Sequence, residues 1–443
     1  MKVLKFGGTS VGSAERIRHV ASLVQPRGKN IIVLSAMSGT TNTLVEICDY
    51  LYKKNYTGAK ETINNLESKY LKTLASLYDN HESRERALKE IKSCFNYIRS
   101  FTREPFTSAE EKIILSQGEI MSVAMMTILL NERGANAEAL PALEFMKTGE
   151  YGEPDFNYIS LHLQSLLDKY CDAGIYVTQG FICRNDKGEV DNLERGGSDY
   201  TASIIGAAIN ADEVQIWTDI DGMHNNDPRF VENTRPVSHL HYEEAAELAY
   251  FGAKILHPTC VIPAKVNNIP VCLLNTMEPE AHGTIIDNES GEACIKAVAA
   301  KDNVVAIKIK SSRMLMAYGF LSKVFETFER FKTPVDMVAT SEVGVSLTID
   351  SERHLIEIVD ALKEYGTVTV DRDMVIVCVV GSLEWTNTGF ETMALDAMRD
   401  IPVRMISYGG SNYNISFLIR REDKVRALNQ LSDFLFGNNA EKR

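Results

Sequence analysis

No GxxxxGK[ST] loop occurs in this 443-residue chain, and neither an HRD nor a DFG set, which excludes a P-loop or protein-kinase way of handling phosphate. Positive net charge is also missing. At a formal charge of −13 the chain is unsuited to nucleic acid or an anionic membrane, since both call for a basic face. The eight cysteines, at positions 48, 94, 171, 183, 260, 272, 294 and 378, include no CxxC pair and sit mostly among apolar neighbours. They read as buried reduced thiols rather than disulfides or zinc ligands. No signal peptide precedes Lys2 and no apolar run approaches membrane-spanning length, so the expected location is cytoplasmic, with no membrane partner.

What is present begins in the first turn. The apolar strand Val3–Phe6 carries one lysine, Lys5, and runs into Gly7-Gly8-Thr9-Ser10. A helical pattern follows from Ser13, with Ile17, Val20, Ala21 and Val24 on one face. Backbone N–H groups of such a turn, backed by a helix N-terminus, suit a phosphate or carboxylate, and Lys5 adds a point charge there.

The length calls for two or three domains. Over the first two thirds, apolar β-branched runs alternate with helical patterns. Strands are expected at 3–6, 31–35, 175–179, 214–218 and 270–274, which indicates an α/β domain with a largely parallel, covered sheet. Ligands of such sheets bind beyond the carboxyl ends of the strands, and nearly every one of these strands ends in Gly, Ser, Thr or Asp. Residues 58–104 read as two amphipathic flanking helices. A long helix then runs to Arg133, with Ser108 and Glu111 spaced as a capping box and Gly134 as the stop.

After about residue 290 the order becomes βαββαβ: 303–310, 319–332, 335–339, 343–349, 351–365 and 367–370. A second copy runs through 374–380, 388–399, 403–407, 414–419 and 423–436 but lacks its last strand. One strand, 295–300, is left over, and it is expected to fill that place and interlock the repeats.

Three motifs in order, Lys5-Phe-Gly-Gly-Thr-Ser-Val-Gly, Arg195-Gly-Gly-Ser-Asp-Tyr-Thr and Phe251-Gly-Ala-Lys-Ile-Leu-His-Pro, resemble the aspartokinase family. Gly319-Phe-Leu, Val335-Asp-Met-Val-Ala-Thr-Ser-Glu-Val and the double repeat look like its paired ACT regulatory domains, and the match is nearest to the monofunctional, lysine-sensitive type. The resemblance implies an amino-acid-kinase α/β fold with a mainly parallel sheet covered by helices, over residues 1–290. Two βαββαβ (ACT) domains follow at 303–371 and 372–443, the second completed by strand 295–300. It implies transfer of the γ-phosphoryl group of ATP to the β-carboxylate of L-aspartate, as the first step toward lysine, threonine and methionine, with lysine as feedback inhibitor.

The implied residues make chemical sense. Lys5 and Lys254 bring two ammonium groups to a transferring phosphate, with Gly7, Gly8 and Ser10 supplying loop contacts. Aspartate needs a cation for its α-carboxylate and an anion for its ammonium. Arg195 fits the first and Glu119 the second, while Thr41, Phe181 and Ser198 complete the family's aspartate set. Asp199 is implied to orient the lysines or a magnesium-bound phosphate, and plain N-capping is the bland alternative for Ser198 and Asp199. The acceptor carboxylate is already ionised at neutral pH, so no general base is required. Thr218, Asp219, His224 and Arg229 are implied nucleotide contacts, His224 standing where the family has tyrosine. Mg²⁺ is implied by the ATP phosphates, with no dedicated metal cage of protein ligands.

The lysine site is implied at Met314, Gly319, Phe320, Leu321, Asp336, Ser341 and Glu342, between subunits of a homodimer joined through the ACT domains. Ala317 replaces a family serine. Pairing of dimers into a tetramer is left open, as is a part for threonine. The competing readings are another amino-acid-kinase enzyme, acting on glutamate, acetylglutamate or a nucleotide, and a non-catalytic amino-acid sensor.

Overall fold

The computed structural model describes residues 1–24, 28–103, 105–193, 196–252, 256–289, 294–311 and 318–437. The chain divides into two compact units, Met1–Gly222 with Ile255–Asn288, and Met223–Lys254 with Glu289–Arg443.

In the first unit a sheet runs in the order Ala137–Leu140, Ile175–Gln179, Asn30–Leu34, Lys2–Phe6, Val214–Thr218, Val271–Asn275, Thr284–Asp287. Every pairing is parallel except the last. The central strands Asn30–Leu34 and Ile175–Gln179 are buried at every position, as strands covered on both faces must be. Lys2–Phe6 lies mid-sheet, and its last side chain, Phe6, stacks on Trp217 at 5.8 Å. The glycine turn therefore leaves the sheet at its centre, on the carboxyl-end side.

The two flanking helices are Tyr56–Leu77 and His81–Ser100, and they bury their apolar stripes together, with Tyr70 edge-on to Phe95 at 5.7 Å. The long helix is Ser108–Glu132, with its capping box one residue earlier than expected. Thr107 Oγ1 accepts the Ala109 N–H at 3.3 Å and Glu110 accepts the Thr107 N–H at 2.8 Å. Glu111 is instead taken by the Tyr52 hydroxyl at 2.7 Å. A second correction concerns the same helix. By length and composition it is apolar enough to cross a membrane, contrary to the expectation that no such run exists. Its apolar residues face protein on nearly every side, among them Ile114, Met121, Met125 and Leu130, which identifies a core helix.

The second unit holds an antiparallel sheet ordered Val338–Ser341, Gly344–Ile349, Ile295–Lys310, Thr367–Gly381, Asn414–Arg420, Val403–Ser407. The stretches expected as separate strands at 295–300 and 303–310 are one strand, and so are 367–370 and 374–380. They pair along almost their whole length, with register shifts around 301–306. One helix pair, Phe320–Arg330 and Leu355–Leu362, covers one half of the sheet, and Phe390–Ala397 with Lys424–Phe436 covers the other. The segment from Met223 joins this unit: Val231 lies in the second core, and Glu244, fully buried, pairs with Lys296 at 2.8 Å. All eight cysteines are free thiols; 48, 183, 260 and 378 are buried, whereas Cys171 and Cys294 are exposed.

Candidate active site

In the first unit the ends of the central strands and the start of the long helix surround a cavity of about 850 Å³. Lys5, Gly8, Thr41, Glu119, Phe181, Ser198 and Asp199 all line it, although they are separated by up to 194 residues in the chain.

Lys5 is the last residue but one of the opening strand and is itself buried. Its Nζ sits above the turn, 3.6 Å from where a Cβ on Gly7 would lie, and pairs with Asp199 Oδ1 at 2.6 Å. The turn packs closely on the next strand's end. A Cβ on Gly8 would stand 2.7 Å from the Ala36 carbonyl, so only glycine fits there. The Ser38 N–H donates to the Gly8 carbonyl at 3.0 Å, whereas the N–H groups of Gly8 and Thr9 have no backbone acceptor among the described residues. Two expected loop contacts are committed elsewhere: the Gly7 N–H donates to the Trp217 carbonyl at 3.3 Å, and the Ser10 hydroxyl pairs with Thr276 Oγ1 at 2.7 Å.

Helix Gly197–Ile209 starts after Gly196, which takes a left-handed φ of 75°, and it has no side-chain cap. Ser198 and Asp199 are therefore not capping groups, and Asp199 is turned to Lys5. Gly180 makes room for this helix start, because a Cβ there would fall 2.6 Å from Ser198 Oγ. The neighbouring Phe181 is held at φ 70°, a conformation an aromatic residue seldom adopts. Thr201 Oγ1 accepts its N–H at 3.0 Å and its carbonyl accepts the Leu193 N–H at 2.7 Å, so both flanks hold it at the cavity.

Glu119 is buried on the long helix beneath Ala36. One oxygen accepts the Ala36 N–H at 3.1 Å and the other has no hydrogen-bond partner among the described residues. Burial pushes its carboxyl up to about 7, against the partial relief of that backbone bond. Thr41, exposed in the first turn of helix Thr40–Tyr52, lines the cavity as well.

Several expected positions fall elsewhere. Arg195, Lys254 and Met314, together with Ala317, lie outside the described residues. Thr218 ends its strand in the first unit and donates to Asp219 Oδ1 at 3.1 Å. His224 and Arg229 belong to the second unit, where His224 meets Thr234 Oγ1 at 2.9 Å and Arg229 is engaged by Asp227 through Nη2 at 2.6 Å.

Of the expected effector residues, Gly319 takes φ 78° before the helix that Phe320 and Leu321 open, and Ser341 and Glu342 stand exposed at a hairpin turn. Asp336 is different. Its side chain is buried, and Oδ1 accepts both the Tyr250 hydroxyl at 2.5 Å and Lys301 Nζ at 2.7 Å. Lys301 also reaches Asp350 at 3.1 Å and lies over the Tyr250 ring at 4.3 Å.

Sequence reasoning did not single out Lys112, Asp191 or Asn192, which line the same cavity. Lys112 and Asp191 pair at 2.6 Å. The hairpin Ile182–Arg184 with Val190–Asn192 that carries two of them is too short to leave a periodic signal.

Residues 1–275 match the model of the amino acid kinase family, and residues 377–434 match an ACT domain model. The chain is 34% identical to chloroplastic aspartokinase 3 of Arabidopsis thaliana, over 98% of this chain and 81% of that one. It is 31% identical to lysine-sensitive aspartokinase 3 of Escherichia coli K12, over 98% and 99%. The crystal structure of E. coli aspartokinase III with aspartate and ADP (R-state) superposes with a TM-score of 0.84 at 30% identity, over 98% of this chain and all of that one. Its complex with lysine and aspartate (T-state) gives 0.80 at 31% identity, over 98% and 99%.

Proposed function

This chain belongs to the amino acid kinase family and, within it, to the aspartokinases, and from that premise we propose how its residues share the work. The reaction is transfer of the γ-phosphoryl group of ATP to the β-carboxylate of L-aspartate, giving 4-phospho-L-aspartate and ADP, and lysine is the effector.

The single observation that carries the assignment of residues is the shared cavity, with Lys5 and Asp199 at its glycine turn and Glu119, Phe181, Ser198 and Thr41 around it. Lys5 binds the nucleotide phosphates and offsets charge on the transferring group, while Asp199 holds the ammonium in place. The N–H groups of Gly8 and Thr9, without a backbone acceptor among the described residues, are suited to phosphate oxygens. Glu119 takes the α-ammonium of aspartate, Arg195 its α-carboxylate and Thr41 a carboxylate oxygen, with Phe181 and Ser198 shaping the pocket. Lys254 adds the second ammonium at the phosphates, and Thr218, Asp219, His224 and Arg229 serve the nucleotide.

Mg²⁺ enters with ATP. Asp199 is the carboxylate beside Lys5, and so small a protein donor set suits a metal carried mainly by phosphate oxygens. The metal would neutralise phosphate charge.

We assign residues 1–290 to catalysis, 303–371 and 372–443 to the two ACT domains, and strand 295–300 to the second of these. The pairing of Ile295–Lys301 with 376–381 supports that last assignment. Lysine binds at Met314, Gly319, Phe320, Leu321, Asp336, Ser341 and Glu342, across a homodimer interface. Exposed Val338, Val343 and Ile406 support an interface on the ACT sheet. The compartment we infer is the cytoplasm.

Aspartate, ATP and Mg²⁺ supplied with hydroxylamine will yield the trapped acyl phosphate, and glutamate in place of aspartate will not. Lys5→Ala will lower kcat by about 10³ with folding intact. A retained rate removes Lys5 from the phosphate site.

A further inference from the structure

Among the described residues three buried acceptors at the cavity lack a hydrogen bond, Glu119 Oε2, Asn192 Oδ1 and Asp199 Oδ1; the last is ion-paired with Lys5, which leaves the first two without any partner. A buried oxygen with no donor costs free energy, and an ordinary core does not keep two of them around one hollow. The orientation of the Asn192 amide follows from its neighbour. Ser116 Oγ donates to the Lys112 carbonyl at 2.8 Å, so toward Asn192 it can only accept. Asn192 Nδ2 therefore faces Ser116, at 3.0 Å, which leaves Oδ1 as the unpaired end. Ser116 and Glu119 are three residues apart on helix Ser108–Glu132, which brings their side chains to neighbouring points on one face. The Asn192 amide is thus docked one turn from Glu119.

A primary ammonium has three donors and no acceptor, and a single carboxylate oxygen leaves donors over. We propose that Asn192 Oδ1 is a second acceptor for the α-ammonium of the substrate amino acid, alongside Glu119 Oε2. The inference rests on the assignment of Glu119 to that ammonium. Asn192 is then a binding residue that selects α-amino diacids over diacids without the amino group.

The test measures aspartate KM, ATP KM and kcat by hydroxylamine trapping, together with inhibition by succinate, which keeps both carboxylates and lacks the ammonium. Asn192→Leu removes the acceptor at similar volume. It will raise the aspartate KM about tenfold or more, as for loss of a hydrogen bond to a charged group. The kcat, the ATP KM and the succinate inhibition constant will stay within about twofold, a smaller change than one lost bond causes. Asn192→Thr, which retains an acceptor oxygen, will recover most of the loss. Ser116→Ala will have a small effect, because it leaves Oδ1 in place. An unchanged aspartate KM in Asn192→Leu, or succinate weakened in parallel with aspartate, overturns the proposal. Should Asn192→Leu fail to fold, Asn192→Ala reads the same quantities, and misfolding of both, seen by thermal melting, makes Asn192 structural and also overturns it. Glu119→Gln is the separate control: if it leaves the aspartate KM unchanged, the assignment of the ammonium site itself fails.

Discussion

Glu119 and Asp336 are two buried carboxylates, one proposed for the substrate ammonium and one for the lysine site, and they differ in whether the chain supplies a cation. Glu119 has one backbone N–H, an empty second oxygen and no cation partner among the described residues. Asp336 likewise leaves one oxygen, Oδ2, without a hydrogen-bond partner among the described residues, but its Oδ1 is met by Lys301 and Tyr250 of its own chain. A buried carboxylate without a cation resists ionisation, and the position of Glu119 near 7 expresses that. A substrate ammonium entering beside Glu119 finds a charge that nothing else neutralises, so binding energy is concentrated there. An effector ammonium reaching Asp336 finds a carboxylate that Lys301 already neutralises, so its net gain is smaller. The contrast suits the two tasks: a substrate site gains from an uncompensated charge, whereas a regulatory site gains from a resting state that is stable without its ligand.

The comparison breaks most readily at Glu119. Glu119→Gln removes the partner of a buried ammonium and will raise the aspartate KM by about 100-fold, with a much smaller change in kcat. Next comes pH. Glu119 must be ionised to hold an ammonium, and that form prevails above about 7. The aspartate KM will accordingly be roughly tenfold higher at pH 6 than at pH 8, in proportion to the ionised fraction. The trend will vanish in Glu119→Gln; if it persists, it belongs to Lys5, Glu111, Lys112, Asp191 or Asp199, which share the cavity. The sign for stability is opposite. With its ordinary value of 4.5 raised to about 7, Glu119 favours the folded state at low pH, and this contribution is lost as pH rises through that window.

Asp336→Asn will raise the lysine concentration for half-inhibition by about tenfold, through loss of a charge-assisted contact. Lys301→Met is the smallest effect and sharpens the comparison most, because it makes Asp336 resemble Glu119. Half-inhibition will come at about fivefold less lysine, equivalent to roughly 1 kcal/mol of removed competition. Thermal melting will start lower, since a buried carboxylate loses its cation, and will rise further on adding lysine than in the parent. Equal or weaker inhibition would show that Lys301 does not stand in the effector's way.

Much of the frame was legible along the chain. Strands such as Asn30–Leu34 and Ile175–Gln179 are continuous apolar runs, because both faces are covered. The flanking helices announce themselves by three-to-four spacing, because only one side is buried. The glycine turn could be read because close backbone approach excludes other residues, as at Gly8. Strand Ala137–Leu140 was missed, since four residues of Ala-Glu-Ala-Leu carry no β preference, and it exists through its neighbour Ile175–Gln179. The fused strands Ile295–Lys310 and Thr367–Gly381 were read as four, since polar residues at 301–303 and 371–373 look like breaks until two long strands pair across them.

By itself the sequence determined most of the order of elements, the family and the chemistry available at Lys5, Glu119, Ser198 and Asp199, because those follow from local patterns and short motifs. Only the tertiary structure decided which polar atoms are satisfied. It turned Asp199 to Lys5, joined Asp336 Oδ1 to Lys301 and Tyr250, and left Glu119 Oε2, Asn192 Oδ1 and Asp336 Oδ2 open among the described residues. Hydrogen-bond saturation depends on partners brought from distant segments, and no local spacing records which of them arrive.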